Sequence, residues 1–207
     1  DLLKRSGAKN AYCLVAGVGS GRLIEELARQ SDLQIIGVDP DAKKISRLRR
    51  DLDAERLYGT RVELQVGDPL DCGLPPYLAS LIVSEDLDAA GIAGGRSFAK
   101  SIFKVLRPYG GAAYLALSGD EHEGFAKHVA ASDLGGAEIT RQGRFTRLSR
   151  VGALPGSADW THEWGDPANS LLSRDELVKA PLGVLWFGGP ASSGDLFYNR
   201  HYWGPSM

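Results

Sequence analysis

An α/β domain, with a mostly parallel sheet covered by helices on both faces, is the fold class this sequence predicts. Three observations predict it. Short continuous apolar runs alternate with segments of helical spacing from residue 11 to residue 117. The first of these runs breaks into a glycine turn before its helix, as buried parallel strands do at a ligand edge. The alternation then ends in two period-two runs separated by Gln142-Gly143, a hairpin signal that closes the sheet with an antiparallel pair.

Residues 11–16 read as a buried strand, and residues 20–30 carry Leu23, Ile24, Leu27 and Ala28 at helical spacing. Residues 34–38 form a second apolar strand. Residues 41–52 place Ile45, Leu48 and Leu52 on one helical face, with Asp41 available to cap the first turn. Residues 61–66 and 81–84 read as the third and fourth strands, 98–106 as a helix, 112–117 as the fifth strand and 121–131 as a further helix. The hairpin occupies 137–141 and 144–150. Beyond Val151 the composition changes: Trp160, Trp164, Trp186 and Trp203 all lie there among many Gly, Pro and Ser. The expected division is a main domain over 1–151 and an extension over 152–207. In the extension, Ser173-Arg174-Asp175-Glu176 has the form of a capping box opening a short helix, and residues 182–187 read as a strand. It is either a tail packing its aromatics on the main domain or a piece of a second domain, since exposed tryptophans on a lone strand would leave an apolar patch.

A chain of 207 residues holds one full-sized domain and an appendage. The net charge of −2, with interspersed signs, provides no field that would draw nucleic acid or anionic lipid. Cys13 and Cys72 have neither metal-site nor CxxC spacing, and the four histidines form no ligand set, so no metal is expected. No apolar run approaches the roughly 20 residues that span a bilayer, and no signal peptide opens the segment, so no membrane insertion is expected. Because it starts at Asp1 and its only methionine is Met207, it reads as a piece of a longer or processed protein.

Gly17, Gly19 and Gly21 follow the pattern GxGxG. The dinucleotide fingerprint GxGxxG would want its third glycine where Arg22 stands, which tips the reading away from a nicotinamide enzyme. Asp39, 18 positions after Gly21, ends the second strand, where a carboxylate can accept both hydrogen bonds of a ribose diol. Its competing role is to start a helix before Pro40. At the end of the third strand, Gly67 and Asp68 offer a second acidic turn on the same sheet edge; Asp68 would accept from an adenine amino group, or simply make an Asp-Pro turn. An adenosine-bearing cofactor is the ligand class these residues indicate. Glu85 and Asp86, just past the fourth strand, are candidates for a base or for orienting a substrate cation, against the alternative of a solvated acidic loop. Pro75-Pro76-Tyr77 resembles the Pro-Pro-aromatic signature of adenine amino methyltransferases but precedes the fourth strand, so a rigid turn is the better reading.

With these motifs in register, and Val105-Leu106-Arg107-Pro108-Tyr109-Gly110-Gly111 before the fifth strand, residues 11–117 resemble a class I S-adenosylmethionine-dependent methyltransferase. The resemblance implies a Rossmann-like three-layer sandwich whose seven-stranded sheet runs 3-2-1-4-5-7-6, with S-adenosylmethionine as cofactor. It places Gly17, Gly19 and Gly21 against the methionine part, Asp39 at the ribose and Asp68, beside Gly67, at the adenine. One position departs: Val15 stands where the family usually carries Asp or Glu, two residues before the first glycine. A second resemblance covers Trp160 to Asn169 and Gly183 to Gly189, which look like the entry into a quinoprotein-like β-propeller of the pyrroloquinoline quinone type. Only about one strand of a blade is present, too little to close a propeller or bind a quinone.

Methyl transfer from a sulfonium is a one-step displacement, so alignment carries most of the catalysis and few catalytic side chains need be visible. The expected function is methyl transfer to an unidentified acceptor. The rival is a catalytically inactive scaffold or interaction module attached to a propeller. An active enzyme would sit in the cytoplasm with its cofactor supply; a parent carrying a propeller and a signal peptide would be exported.

Overall fold

The computed structural model describes residues 2–178. The chain separates into two units, Asp1–Ala153 and Leu154–Met207. The first unit opens with a short helix α1 (Leu2–Ser6) and continues β1 (Tyr12–Ala16), α2 (Arg22–Gln30), β2 (Gln34–Asp39), α3 (Ala42–Ala54), β3 (Val62–Val66), β4 (Leu81–Val83), a 3-10 turn Ile92–Gly94, α4 (Arg96–Val105), β5 (Ala112–Leu115), α5 (Gly119–Ala130), β6 (Ala137–Gln142) and β7 (Phe145–Arg150). The seven strands make one sheet in the order β3-β2-β1-β4-β5-β7-β6. β1 to β5 pair in parallel, and β7 runs antiparallel to both β5 and β6.

The apolar runs are continuous because both faces of the sheet are buried. Successive side chains of β1 alternate between two cores: Cys13 and Val15 join Ile24, Ile45, Leu48 and Leu64 on the α2 and α3 side, while Leu14 and Ala16 join Phe98, Ile102, Phe103 and Leu148 on the α4 side. Burial pushes the Cys13 thiol up to about 12. Val15 is fully buried and pairs in register with Gly37 on one side and Val83 on the other, so an apolar side chain fills core at the position where the pattern it resembles carries a carboxylate.

Helix starts follow local chemistry. Asp41 caps α3, its Oδ1 accepting from the Lys43 and Lys44 amides, which holds its carboxyl below the usual range. Ser118 and Glu121 form a reciprocal capping box that starts α5 two residues earlier than the apolar spacing implied. At the other end of α4, the buried Arg150 donates from Nε to the Leu106 carbonyl (2.9 Å) and from Nη2 to the Phe103 carbonyl (2.6 Å). Its guanidinium lies 3.7 Å from the Phe103 ring centroid and 5.1 Å from that of Tyr77. Pro75-Pro76-Tyr77 is thus a structural turn that lays Tyr77 over Arg150, with the Tyr77 amide donating to the Lys104 carbonyl.

In the second unit, Thr161 and Gly165 close a tight turn, and Asp166 accepts from the Ala168 and Ser170 amides and the Ser170 hydroxyl. No helix forms at residues 173–176. The Glu176 amide that a capping box would give to Ser173 donates instead to the Gly156 carbonyl, and Asp175 takes the amides of Ala158, Leu177 and Val178. The expected strand at 182–187 lies outside the described residues, as do Trp186 and Trp203. Among the described residues, no helix is long and apolar enough to cross a membrane, and no group of three or more His, Cys, Asp or Glu could hold a metal ion.

Candidate cofactor site at the carboxyl edge of the sheet

Strand order reverses between β1 and β4, which are neighbours in the sheet although β2 and β3 separate them in sequence. Open α/β sheets form a crevice at such a switch point, outside the carboxyl ends of the strands. Backbone hydrogen bonds link the loops there into one wall. The Gly17 amide donates to the Val38 carbonyl (2.8 Å), the Glu85 and Asp86 amides both donate to the Gly17 carbonyl (3.1 and 3.2 Å), and the Gly67 amide donates to the Asp39 carbonyl (3.1 Å). The exits of β1, β2, β3 and β4, far apart in sequence, are joined through these four contacts.

The glycines of the turn are demanded by this closeness. Gly17 has φ +72°, and a Cβ there would lie 2.0 Å from the Asp86 carbonyl oxygen. Gly19 has φ +55°, and its absent Cβ leaves room for the Glu85 side chain, whose Cγ would be 2.7 Å away. An open cleft beside the turn is lined by Gly19, Asp41, Lys43, Lys44 and Arg47. Its cations favour a ligand with an anionic end.

Asp39 is fully buried at the tip of β2. Its Oδ2 accepts from the Val18 amide (3.1 Å) and from Lys44 Nζ (2.9 Å), and its Oδ1 accepts from the Asp41 amide (3.0 Å). Burial draws the Lys44 ammonium toward a lower pKa, but the hydrogen bond and charge of Asp39, with the charges of Asp86 and Asp41, leave it raised overall. A carboxylate offers about four lone-pair positions. Three on Asp39 are taken, so a two-handed grip on a ribose diol requires a present partner to leave, and Lys44, on a flexible stem, is the one able to do so.

Glu85 lies across the mouth of the glycine turn. Its Oε1 accepts from the Ser20 amide (3.2 Å) and the Ser20 hydroxyl, and its Oε2 accepts from the amides of Gly21 and Leu23 (3.2 Å each). These donors form the amino end of α2, the natural seat of an anion. Asp86, beside it, has Oδ2 3.7 Å from Lys44 Nζ and Oδ1 accepting from the Ala89 amide (3.0 Å). Ser84 Oγ, at the same exit, is buried without a hydrogen-bond partner. Asp68 is exposed at the exit of β3, where its Oδ1 receives the Leu70 amide in an Asx turn (2.8 Å).

All eight residues singled out from the sequence, Gly17, Gly19, Gly21, Asp39, Gly67, Asp68, Glu85 and Asp86, thus stand at one edge of the sheet, Asp39 as the last residue of β2 and the others on the loops. Two features escaped sequence reasoning. Lys44 reaches back to Asp39 over five positions, and the only signal was a lysine in the first turn of a helix that starts beside an acidic strand end. Glu85 meets Ser20 across 65 positions, which no local pattern encodes.

The donor set suits an adenosyl amino acid chemically: turn amides for a carboxylate, Asp39 for a diol and Asp68 for an exocyclic amine. The comparisons with known proteins concern the domain as a whole. Residues 13–110 match the model of a family described as a methyltransferase domain. No curated protein matches the sequence. A protein of Methanococcus maripaludis provisionally named an S-adenosylmethionine-dependent methyltransferase superposes with a TM-score of 0.60 at 18% identity, over 73% of this chain and 82% of that one. A TehB-like S-adenosylmethionine-dependent methyltransferase of Corynebacterium glutamicum superposes at 0.53 and 20% identity, over 72% and 83%. A phosphoethanolamine N-methyltransferase of Haemonchus contortus, in complex with phosphomonomethylethanolamine and S-adenosylhomocysteine, does so at 0.55 and 20%, over 67% of this chain and 37% of that one. Residues 13–110 thus match a methyltransferase-domain family over just under half of the chain, the sheet has the class I methyltransferase order, and S-adenosylmethionine is the cofactor that goes with that fold and family.

Proposed function

Starting from the match of residues 13–110 to a methyltransferase-domain family, we propose that this chain binds S-adenosylmethionine across the exits of β1, β2 and β3 and transfers its methyl group to an acceptor beyond β4. The observation that supports this most is the joining of four strand exits by the Gly17, Gly67, Glu85 and Asp86 amides, which brings the turn and Asp39 to one crevice. Gly17, Gly19 and Gly21 would face the amino-acid end, Asp39 the ribose, and Gly67 with Asp68 the adenine. The bound cofactor would supply an activated methyl group, so the protein's work is to align an acceptor and keep its nucleophile deprotonated. Glu85 and Asp86 stand on the acceptor side for that purpose. Lys44 Nζ, 3.7 Å from Asp86 Oδ2, sets a cation beside that carboxylate.

Titration calorimetry with S-adenosylhomocysteine tests the reading. Wild type is expected to bind, and Asp39→Asn to weaken binding by about tenfold or more through loss of a charged acceptor, with its melting temperature recorded to separate binding from folding. A folded wild type that binds neither S-adenosylmethionine nor S-adenosylhomocysteine would instead favour the scaffold reading, for which the engaged Asp39 and the buried Val15 are the pertinent features.

For residues 152–207 the proposal remains the leading part of a propeller domain, supported by the Trp160 to Asn169 and Gly183 to Gly189 runs. Blade repeats following Met207 in the parent reading frame would support it, and a continuation without them would remove it. The compartment follows from the same frame: cytoplasmic for an active enzyme, exported if a signal peptide and propeller accompany it.

A further inference from the structure

We infer that Glu85 is an internal occupant of the cofactor's carboxylate seat, so that an adenosyl amino acid must displace it to bind. This deepens the proposed reading of the site and rests on it. The amides of Ser20 and Leu23 and the Ser20 hydroxyl converge on the two Glu85 oxygens, joined by the Gly21 amide, which Glu85 shares with the Val18 carbonyl (2.9 Å), while the Arg22 amide turns to Ser20 Oγ; the donors the turn presents at that point are already engaged within the chain, mostly by one carboxylate. The unpaired amides of a helix amino end hold one anion well, and two carboxylates cannot share them. The fit is built into the backbone: Gly19 carries no Cβ where the Glu85 Cβ and Cγ pass, at 2.9 and 2.7 Å from the position that atom would take. Glu85 is also solvent-exposed, so it can swing away without unpacking the core.

Two consequences follow. The ligand-free turn is held in shape by Glu85, a function for which the buried Val15 offers no carboxylate. Displacement releases the Glu85 carboxylate at the exit of β4, beside the place proposed for the acceptor, so cofactor arrival and exposure of the candidate base become one event. A ligand without an amino-acid carboxylate would bind without this competition.

The experiment compares S-adenosylhomocysteine with 5′-methylthioadenosine, which keeps the adenosine and thioether but lacks the amino-acid end, by calorimetry on the whole chain and on Glu85→Gln. A glutamine cannot replace the carboxylate, because whichever way its amide is turned the NH2 would face a backbone donor, that of Ser20 or those of Gly21 and Leu23. The expected result is that Glu85→Gln tightens S-adenosylhomocysteine by about tenfold, the gain when an internal competitor filling about nine-tenths of the molecules is removed, and leaves 5′-methylthioadenosine unchanged. Unchanged or weakened S-adenosylhomocysteine binding in the variant, with 5′-methylthioadenosine still bound, overturns the inference and leaves the site reading intact. Equal tightening of both ligands also overturns it, since the effect would not then concern the carboxylate. If neither ligand binds either folded protein, the site reading itself fails and this inference with it. Thermal melting of both proteins without ligand confirms that each is folded, and Glu85→Ala, which has no side-chain amide, must show the same ligand selectivity.

Discussion

Lys44 is the residue on which the chemistry of the site turns. A carboxylate as deeply buried as Asp39 is costly unless compensated, and here the compensation is one ammonium at 2.9 Å and two backbone amides. Lys44→Met would leave the charge with the amides alone. The expected cost is about 2–3 kcal/mol in urea denaturation, below the figure for a wholly buried pair because the Lys44 side chain is 21% exposed. The pH dependence has a definite sign. The folded pKa of Lys44 lies above its unfolded value, so its stabilisation is full below the ordinary lysine range near ~10.4 and is lost as pH rises through the folded value. Wild type should therefore lose stability in strongly alkaline solution that Lys44→Met, having none of it to lose, retains. A parallel alkaline loss in both proteins would show that the pair contributes nothing.

At the scale of elements, the strands were legible to within a residue or two: the central ones because both of their faces are buried, which leaves unbroken apolar runs such as Cys13 to Ala16, and the edge strand β6 because its exposure alternates. Asp41 was legible as the cap of α3 because capping chemistry is local. α1 was not, since a five-residue helix with no fully buried side chain leaves no periodic signature. The misread capping box at residues 173–176 shows the limit of such motifs: Glu176 had a tertiary partner in the Gly156 carbonyl, and the motif does not know about tertiary partners. In the site, the glycine turn and Asp39 could be read because their spacing is encoded within one βαβ stretch, whereas the partners that occupy them, Lys44 and Glu85, come from a side-chain reach and a distant loop. Arg150 is a similar case, a charged residue at a strand end that proves to finish another element. It supplies the last carbonyls of α4 with donors while filling the space between Phe103 and Tyr77. Arg150→Ala should cost about 2–3 kcal/mol by denaturation, through orphaned carbonyls and lost packing together. A change within experimental error would mean that the α4 carboxyl end is satisfied by other means.

At the scale of the whole molecule, the order β3-β2-β1-β4-β5-β7-β6 puts β1 beside β4 and opens a crevice where their crossovers part. Val15, Gly37 and Val83 share a register across three strands, and just beyond it their exits carry Gly17, Asp39 and Glu85. The sheet thus converts three distant stretches of sequence into one wall, and loop chemistry decides what that wall holds. Chemical shifts of the 15N-labelled chain titrated with S-adenosylhomocysteine report on that wall directly. The account predicts perturbations concentrated at the amides of Gly17, Gly19, Gly21, Asp39 and Asp68. No perturbation at saturating ligand, or changes confined to residues away from this edge, would contradict it.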